Sequence, residues 1–200
     1  MSDARPFVPR SPLAGSAPVS GSGAGVTAVV RDGFGLATVL ARKGASQQLA
    51  ERVRKHFDVQ LPRVGRRAAA SDVAFAGTGP DAWLAIAEGG ANEFAARLMG
   101  NLDGLASVSD QSDGYVLIRL TGARVREALA KLIPIDVHPR AFEVGDVAST
   151  VASHIGVTLW RVADQPDAAP VFEIIMFRSL ARSFWHALTE AAAEYGFEGL

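Results

Sequence analysis

Cysteine is absent from the 200 residues. That excludes disulfides, thiolate metal sites and cysteine nucleophiles, and it fits a reducing compartment, so the cytoplasm is the expected location. An excess of either charge is missing too. Twenty lysines and arginines face 21 aspartates and glutamates, which removes any global pull toward nucleic acid or an anionic membrane. No apolar run approaches the roughly 18 to 20 residues that cross a bilayer. Pro6, Pro9, Pro12 and Pro18 interrupt the first residues before the apolar segment of a signal peptide could form. Neither nucleic acid nor membrane is expected as a partner. The G-x-S-x-G nucleophile motif and the G-x-x-x-x-G-K-[ST] phosphate loop are both lacking, and His56, His138, His154 and His186 form no i, i+4 pair. No catalytic, cofactor-binding or metal-binding residue is therefore assigned to this chain.

What is present is apolar bulk: hydrophobic residues make up 48% of the chain, enough for the core of one globular unit. Residues 1–24 are rich in Ser, Gly, Pro and Ala and read as an arm, flexible or ordered only against a partner. Residues 25–200 read as a single α+β domain in halves of about 25–110 and 111–200. Val26–Val30 and Phe34–Leu40 flank Asp32-Gly33, which predicts a hairpin. Leu49, Val53 and Phe57 recur at a spacing of four and predict a helix over 46–57. Strands over 72–76 and 82–87, a helix over 91–100 with Phe94 and Leu98 inward, and a strand over 105–109 complete a β-α-β-β-α-β pattern.

The pattern then runs again. A strand over 114–120 precedes a helix over 121–131 whose inward face is Val125, Ala128 and Leu129, followed by strands over 147–153, 157–162 and 171–177 and a helix over 179–195. Trp83–Ile86 before Phe94 and Leu98 echoes Phe172–Ile175 before Phe184 and Leu188, and Lys43-Gly-Ala echoes Thr121-Gly-Ala. The expected fold is α+β, two ferredoxin-like βαββαβ halves packed as one unit.

Chemistry is sparse. Pro134 and Pro139 stiffen the connector Leu132–Phe142, in which Asp136 and His138 alternate and so share a side, inviting an acid–base dyad. No nucleophile can be placed beside them, and a docking edge is the better reading. The candidate subunit interface is Asp136, His138, Pro139, Arg140 and Phe142, with Arg124. Arg119, Arg124 and Arg126 crowd the start of the third helix, and Arg178 and Arg182 that of the last, where cations oppose the helix dipole unless carboxylates compensate. A partner could supply them. Arg52, Arg54, Lys55, Arg63, Arg66 and Arg67 form the densest basic set, which keeps an RNA-binding ferredoxin-like module as an alternative.

Several segments, in order, carry a resemblance: Gly79–Leu84, Asp110–Leu120, Gly122–Leu129, Pro134–Phe142 and Trp160. Together they resemble the gamma subunit of heterotetrameric sarcosine oxidase along nearly the whole chain, although Val26-Thr-Ala-Val-Val-Arg31 departs from the family's usual first strand. The resemblance implies a fold similar to the folate-binding domain of the glycine cleavage aminomethyltransferase. It implies a non-catalytic subunit of a complex that demethylates sarcosine to glycine, passing the methyl carbon to tetrahydrofolate and electrons to oxygen as hydrogen peroxide. FAD, FMN and NAD would be held by alpha and beta partner subunits and zinc by a delta subunit, with none held by this chain alone. A stand-alone folate-binding protein like the aminomethyltransferase is the alternative.

Overall fold

The computed structural model describes residues 11–14, 23–89, 91–164 and 169–199. Apolar residues at strand and helix spacing build two largely antiparallel arrays of the same design. In the first, β2 (Gly35–Ala41), α1 (Ser46–Phe57), β3 (Arg67–Ala70), β4 (Val73–Gly79), β5 (Ala82–Ala87), α2 (Ala91–Asn101) and β6 (Ala106–Asp110) form a five-stranded sheet of order β3-β4-β5-β2-β6. Leu49, Val53 and Phe57 bury one face of α1, as their spacing predicts. The helix stops at Asp58, which adopts a left-handed conformation and returns its N–H to the Arg54 carbonyl, while Arg54, Lys55 and His56 in the last turn complement the dipole.

The second array repeats the sequence of elements: β7 (Tyr115–Thr121), α3 (Val125–Leu132), β8 (Val147–Ala152), β9 (Ile155–Val162), β10 (Val171–Phe177), α4 (Ala181–Ala192) and β11 (Phe197–Gly199). Single 3₁₀ turns over 178–180 and 193–195 flank α4, which is shorter than the helix expected from its apolar face. The six-stranded order β11-β1-β7-β10-β9-β8 contains β1 (Val26–Arg31), from the expected first half.

The expected hairpin between β1 and β2 does not form. Asp32 and Gly33, with Gly33 at φ 75°, turn the chain from one sheet into the other. The reason is hydrogen-bond accounting. Between β7 and β11 the backbone of β1 is paired on both edges, antiparallel and parallel respectively, and β2 is likewise paired on both edges by β5 and β6. This arrangement needs close backbone approach beside α3: a Cβ on Gly122, at φ 121°, would lie 2.3 Å from the Gly25 carbonyl oxygen.

Three apolar clusters order the layers. One joins α1 and α2 to the outer face of the five-stranded sheet, and one joins α3 and α4 to the outer face of the six-stranded sheet. Between the sheets, Leu36, Leu84 and Ile86 meet Leu117, Trp160 and Ile175. The result is a helix–sheet–sheet–helix stack. Within the expected arm, residues 11–14 contact their own chain: Leu13 is 1% exposed in the second helix–sheet core, and the Arg182 side chain donates to the carbonyls of Pro12 and Ala14. The rest of residues 1–22 lies outside the described residues.

Candidate subunit interface and the charged seam between the sheets

The connector after α3 is held by local hydrogen bonds. Ile133 is extended ahead of Pro134, and the carboxylate of Asp136 accepts the His138 backbone N–H at 2.8 Å. His138 Nδ1 in turn accepts the Arg140 N–H at 3.2 Å, and the His138 carbonyl accepts from Ala141 and Phe142. Asp136 and His138 thus each cap local backbone, and no hydrogen bond joins their side chains among the described residues. Asp136, His138, Pro139 and Arg140 are exposed on one turn.

Two other members of the expected interface lie elsewhere. Phe142 is 6% exposed, and its ring stacks on Phe172 at 6.2 Å. Its carbonyl accepts from Arg161, so it anchors the connector to the core. An aromatic in an irregular segment can face either way, and here the apolar second core captures it. Arg124 is exposed at the opposite end of α3, paired with Glu127 at 3.1 Å and lying 4.9 Å from the centre of the Tyr195 ring.

Two of the arginines at the helix starts find carboxylates inside the chain, Arg119 at Glu173 and Arg124 at Glu127. Arg126 instead lies over Phe172, and burial, helped by nearby Arg161, lowers its pKa. The basic set considered for RNA is also dispersed. Arg52 donates to the Asn101 carbonyl, Arg66 pairs with Asp146 across the two halves, and Arg67 faces the gap between the sheets.

That gap holds the most organised polar group of the molecule. Strand register aligns Trp160, Glu173 and Arg119 across β9, β10 and β7, with Val29 of β1 next in the row. Glu173 is 4% exposed. One carboxylate oxygen accepts from Arg119 Nε at 3.0 Å and Nη2 at 2.5 Å and from Arg31 at 3.3 Å; the other accepts from Trp160 Nε1 at 2.7 Å. Arg31 also reaches Glu88 at 3.0 Å, tying β1 to the end of β5. Sequence reasoning missed this seam. Its signal was a glutamate in the middle of the apolar run Val171–Phe177 and an arginine in the middle of Tyr115–Thr121.

A carboxylate so enclosed is stable only while its donors remain, because an unpaired buried charge is costly. Its interactions are those of a structural clamp. No group of three or more metal-ligating residues exists among the described residues, and no helix there is long and apolar enough to cross a membrane.

Comparison with known proteins bears on this arrangement. The family described as "Sarcosine oxidase, gamma subunit family" matches residues 42–194. The sarcosine oxidase subunit gamma of Corynebacterium sp. (strain P-1) is 36% identical over 121 residues, 60% of this chain and 57% of that protein. That of an Arthrobacter species is 38% identical over 98 residues, 48% of each chain. The chain thus spans about half the length of the curated relatives it matches. Among solved structures, a chain of the heterotetrameric sarcosine oxidase from Corynebacterium sp. U-96 superposes with a TM-score of 0.78 at 29% identity, covering 94% of this chain and 96% of that one. The glycine cleavage system aminomethyltransferase T from Bartonella henselae shares the fold, with a TM-score of 0.65 at 15% identity over 88% of this chain and 48% of that one.

Proposed function

The chain belongs to the sarcosine oxidase gamma subunit family, and from that membership we propose that it serves as the gamma subunit of a four-subunit sarcosine oxidase, without an active site of its own. The observation that carries this reading is the superposition along nearly the whole of a chain from a heterotetrameric sarcosine oxidase. The use of side chains supports it. Asp136 and His138 cap backbone, Glu173 clamps the seam, and Arg119 and Arg31 are committed to Glu173. The complex demethylates sarcosine to glycine with oxygen and tetrahydrofolate. FAD, FMN and NAD reside in its alpha and beta subunits and zinc in its delta subunit, in the cytoplasm.

The cavity between the sheets, about 50 Å³, is far smaller than the roughly 300 Å³ or more of a cofactor-sized pocket. A pteridine does not fit it. Each sheet is read as a ferredoxin-like half, a reading supported by the order β6-β2-β5-β4 and its counterpart around β7 and β10. The exposed turn Asp136, His138, Pro139 and Arg140 is read as a docking edge toward partner subunits.

Co-expression with candidate alpha, beta and delta chains tests the assignment. A stoichiometric complex that oxidises sarcosine, with an isolated gamma chain that does not, is the expected result. Sarcosine turnover by the isolated chain would overturn it.

A further inference from the structure

The sheets end on β3, β6, β8 and β11, and β8 is the least protected of these edges. β11 has three residues, β3 is tied at its start by the Arg67 N–H to the Gly145 carbonyl, and β6 is held at Ala106 by the Leu102 carbonyl and ends on Asp110. β8 carries no charge and no proline, and its pairing with β9 runs without a bulge, so it lacks the devices that usually blunt an edge. Its outward side is defined by hydrogen bonds at its two ends. The Val147 N–H donates to the Gly65 carbonyl at 2.9 Å and the Ser153 N–H to the Leu132 carbonyl at 3.0 Å, both away from β9, whereas the Asp146 carbonyl accepts from Arg161 on the β9 side at 3.1 Å. Backbone groups alternate along a strand, so Ser149 and Val151 also turn N–H and C=O away from β9. These groups have no hydrogen-bond partner among the described residues, and both residues are exposed.

The side chain at this edge adds a second signal. Register puts Val151 in one row with Gly156, Phe177 and Tyr115 across β9, β10 and β7, on the face turned toward the other sheet. Val151 is 47% and Phe177 53% exposed, and a Cβ on Gly156 would meet nothing within 4 Å, so the row extends past the cover of the five-stranded sheet. An open backbone edge recognises another backbone, and an exposed apolar row beside it recognises an apolar side chain. We propose that β8 takes up a short extended segment of a partner subunit, which pairs with Ser149 and Val151 and lays an apolar side chain beside Val151 toward Phe177. This rests on the subunit reading above. Gly65 and Leu132 occupy the ends of the lane that an added strand would follow, leaving about five residues, roughly 17 Å at strand rise. That length suits a loop or a chain end. A second copy would have to bring its own β8, flanked by the same two segments, into the lane. With no charged side chain on β8 to answer one, the paired stretch is uncharged, and it is free of proline. The lane ends at Leu132, where the connector to the exposed turn Asp136–Arg140 begins.

The test is hydrogen–deuterium exchange of the full chain alone and in the co-expressed complex, read residue by residue by mass spectrometry. Assembly should slow exchange of the Ser149 and Val151 amides by about tenfold or more, with little change at Val147 and Ser153, which are already bonded. Val151→Lys puts a charge on the edge and should lower recovery of the complex by about tenfold, while the thermal midpoint of the isolated chain stays unchanged. If Val151→Lys does not fold, Ser149→Pro decides, since it removes an outward N–H and no bond to β9. A parent complex in which both amides exchange as they do in the isolated chain overturns the inference and leaves the subunit reading standing, as does full assembly of the variant. Failure of the parent chain to assemble overturns the subunit reading and this inference with it. Protection in the isolated chain that grows with its concentration gives the edge to a second copy and overturns the partner segment.

Discussion

In the five-stranded sheet, the strand that opens the repeat, β2, lies beside the strand that closes it, β6. In the six-stranded sheet β1 stands between the equivalent pair, β7 and β11. The inner faces differ as well. Register matches Thr38 with Leu84 in the first sheet, and at the corresponding place in the second Arg119 with Glu173. The first sheet's face is apolar along β5, whereas the second carries a charged row that Arg31 on β1 joins to Glu88, the residue after β5. The two differences are linked, because the inserted strand brings Arg31 to Glu173. The repeat thus supplies the scaffold, and the exchanged strand supplies the lock between its halves.

The largest way to break this comparison is to remove the lock. Glu173→Gln should destabilise the chain by about 3–5 kcal/mol in urea denaturation, because Arg119 and Arg31 lose a buried partner. Glu173→Leu combined with Arg119→Thr, which copies the first sheet, should recover most of that loss. A double variant as unstable as the single one would show that the two faces are not interchangeable.

The next concerns Leu13, a residue from outside the repeat that fills the second core. Leu13→Ala should cost about 2–5 kcal/mol by the same measurement, the range for emptying a buried leucine site. A loss below 0.5 kcal/mol would mean that the segment merely rests on the surface.

A smaller effect sharpens the contrast between hairpins. The β8–β9 turn places both Ser153 and His154 at positive φ, 44° and 74°, whereas the β4–β5 turn places Asp81 at 53°. Asn-Gly suits a turn with two such positions. Ser153→Asn with His154→Gly should therefore stabilise by about 1 kcal/mol, seen as a higher thermal midpoint. An unchanged or lower midpoint would refute strain at this turn.

The smallest effect lies at the contact between α3 and α4. The hydrogen bond to Glu194 raises the Lys131 pKa, and the same bond holds the Glu194 carboxyl below its ordinary value. The Glu194 contribution is present above the carboxylate's unfolded pKa and fades as pH falls through the depressed folded value. The Lys131 contribution is present below the lysine's unfolded pKa and fades as pH rises through its raised folded value. Both groups meet solvent, so the effect is slight. NMR titration of Glu194 should show its shift, and Lys131→Met should abolish it.

Elements with strong local periodicity were legible in the sequence. Leu49, Val53 and Phe57 define α1, and Phe94 and Leu98 define the buried side of α2. β3 was not legible because Arg67-Ala-Ala-Ala has no alternation, and its conformation depends on pairing with β4. β11 is three residues long and is stabilised by a strand distant in sequence. The Asp32-Gly33 signal misled for a related reason: turn chemistry is local, and the choice of strand partner is not. The proline-bounded connector could be read as stiff, and its exposed turn as a candidate edge. The row Trp160, Glu173 and Arg119 needs the register of three strands, which no single segment contains.

The position of β1 also orders events in time. It is made before both of its neighbours, of which the antiparallel one begins at Tyr115 and the parallel one at Phe197. Contacts between such distant stretches close late, since the loop between them must first be gathered. The five-stranded sheet, whose strands all lie within residues 35–110, can assemble while the remainder is still being synthesised. Until β7 is made β1 is a strand without a sheet, and its second edge stays open until residues 197–199 dock against it.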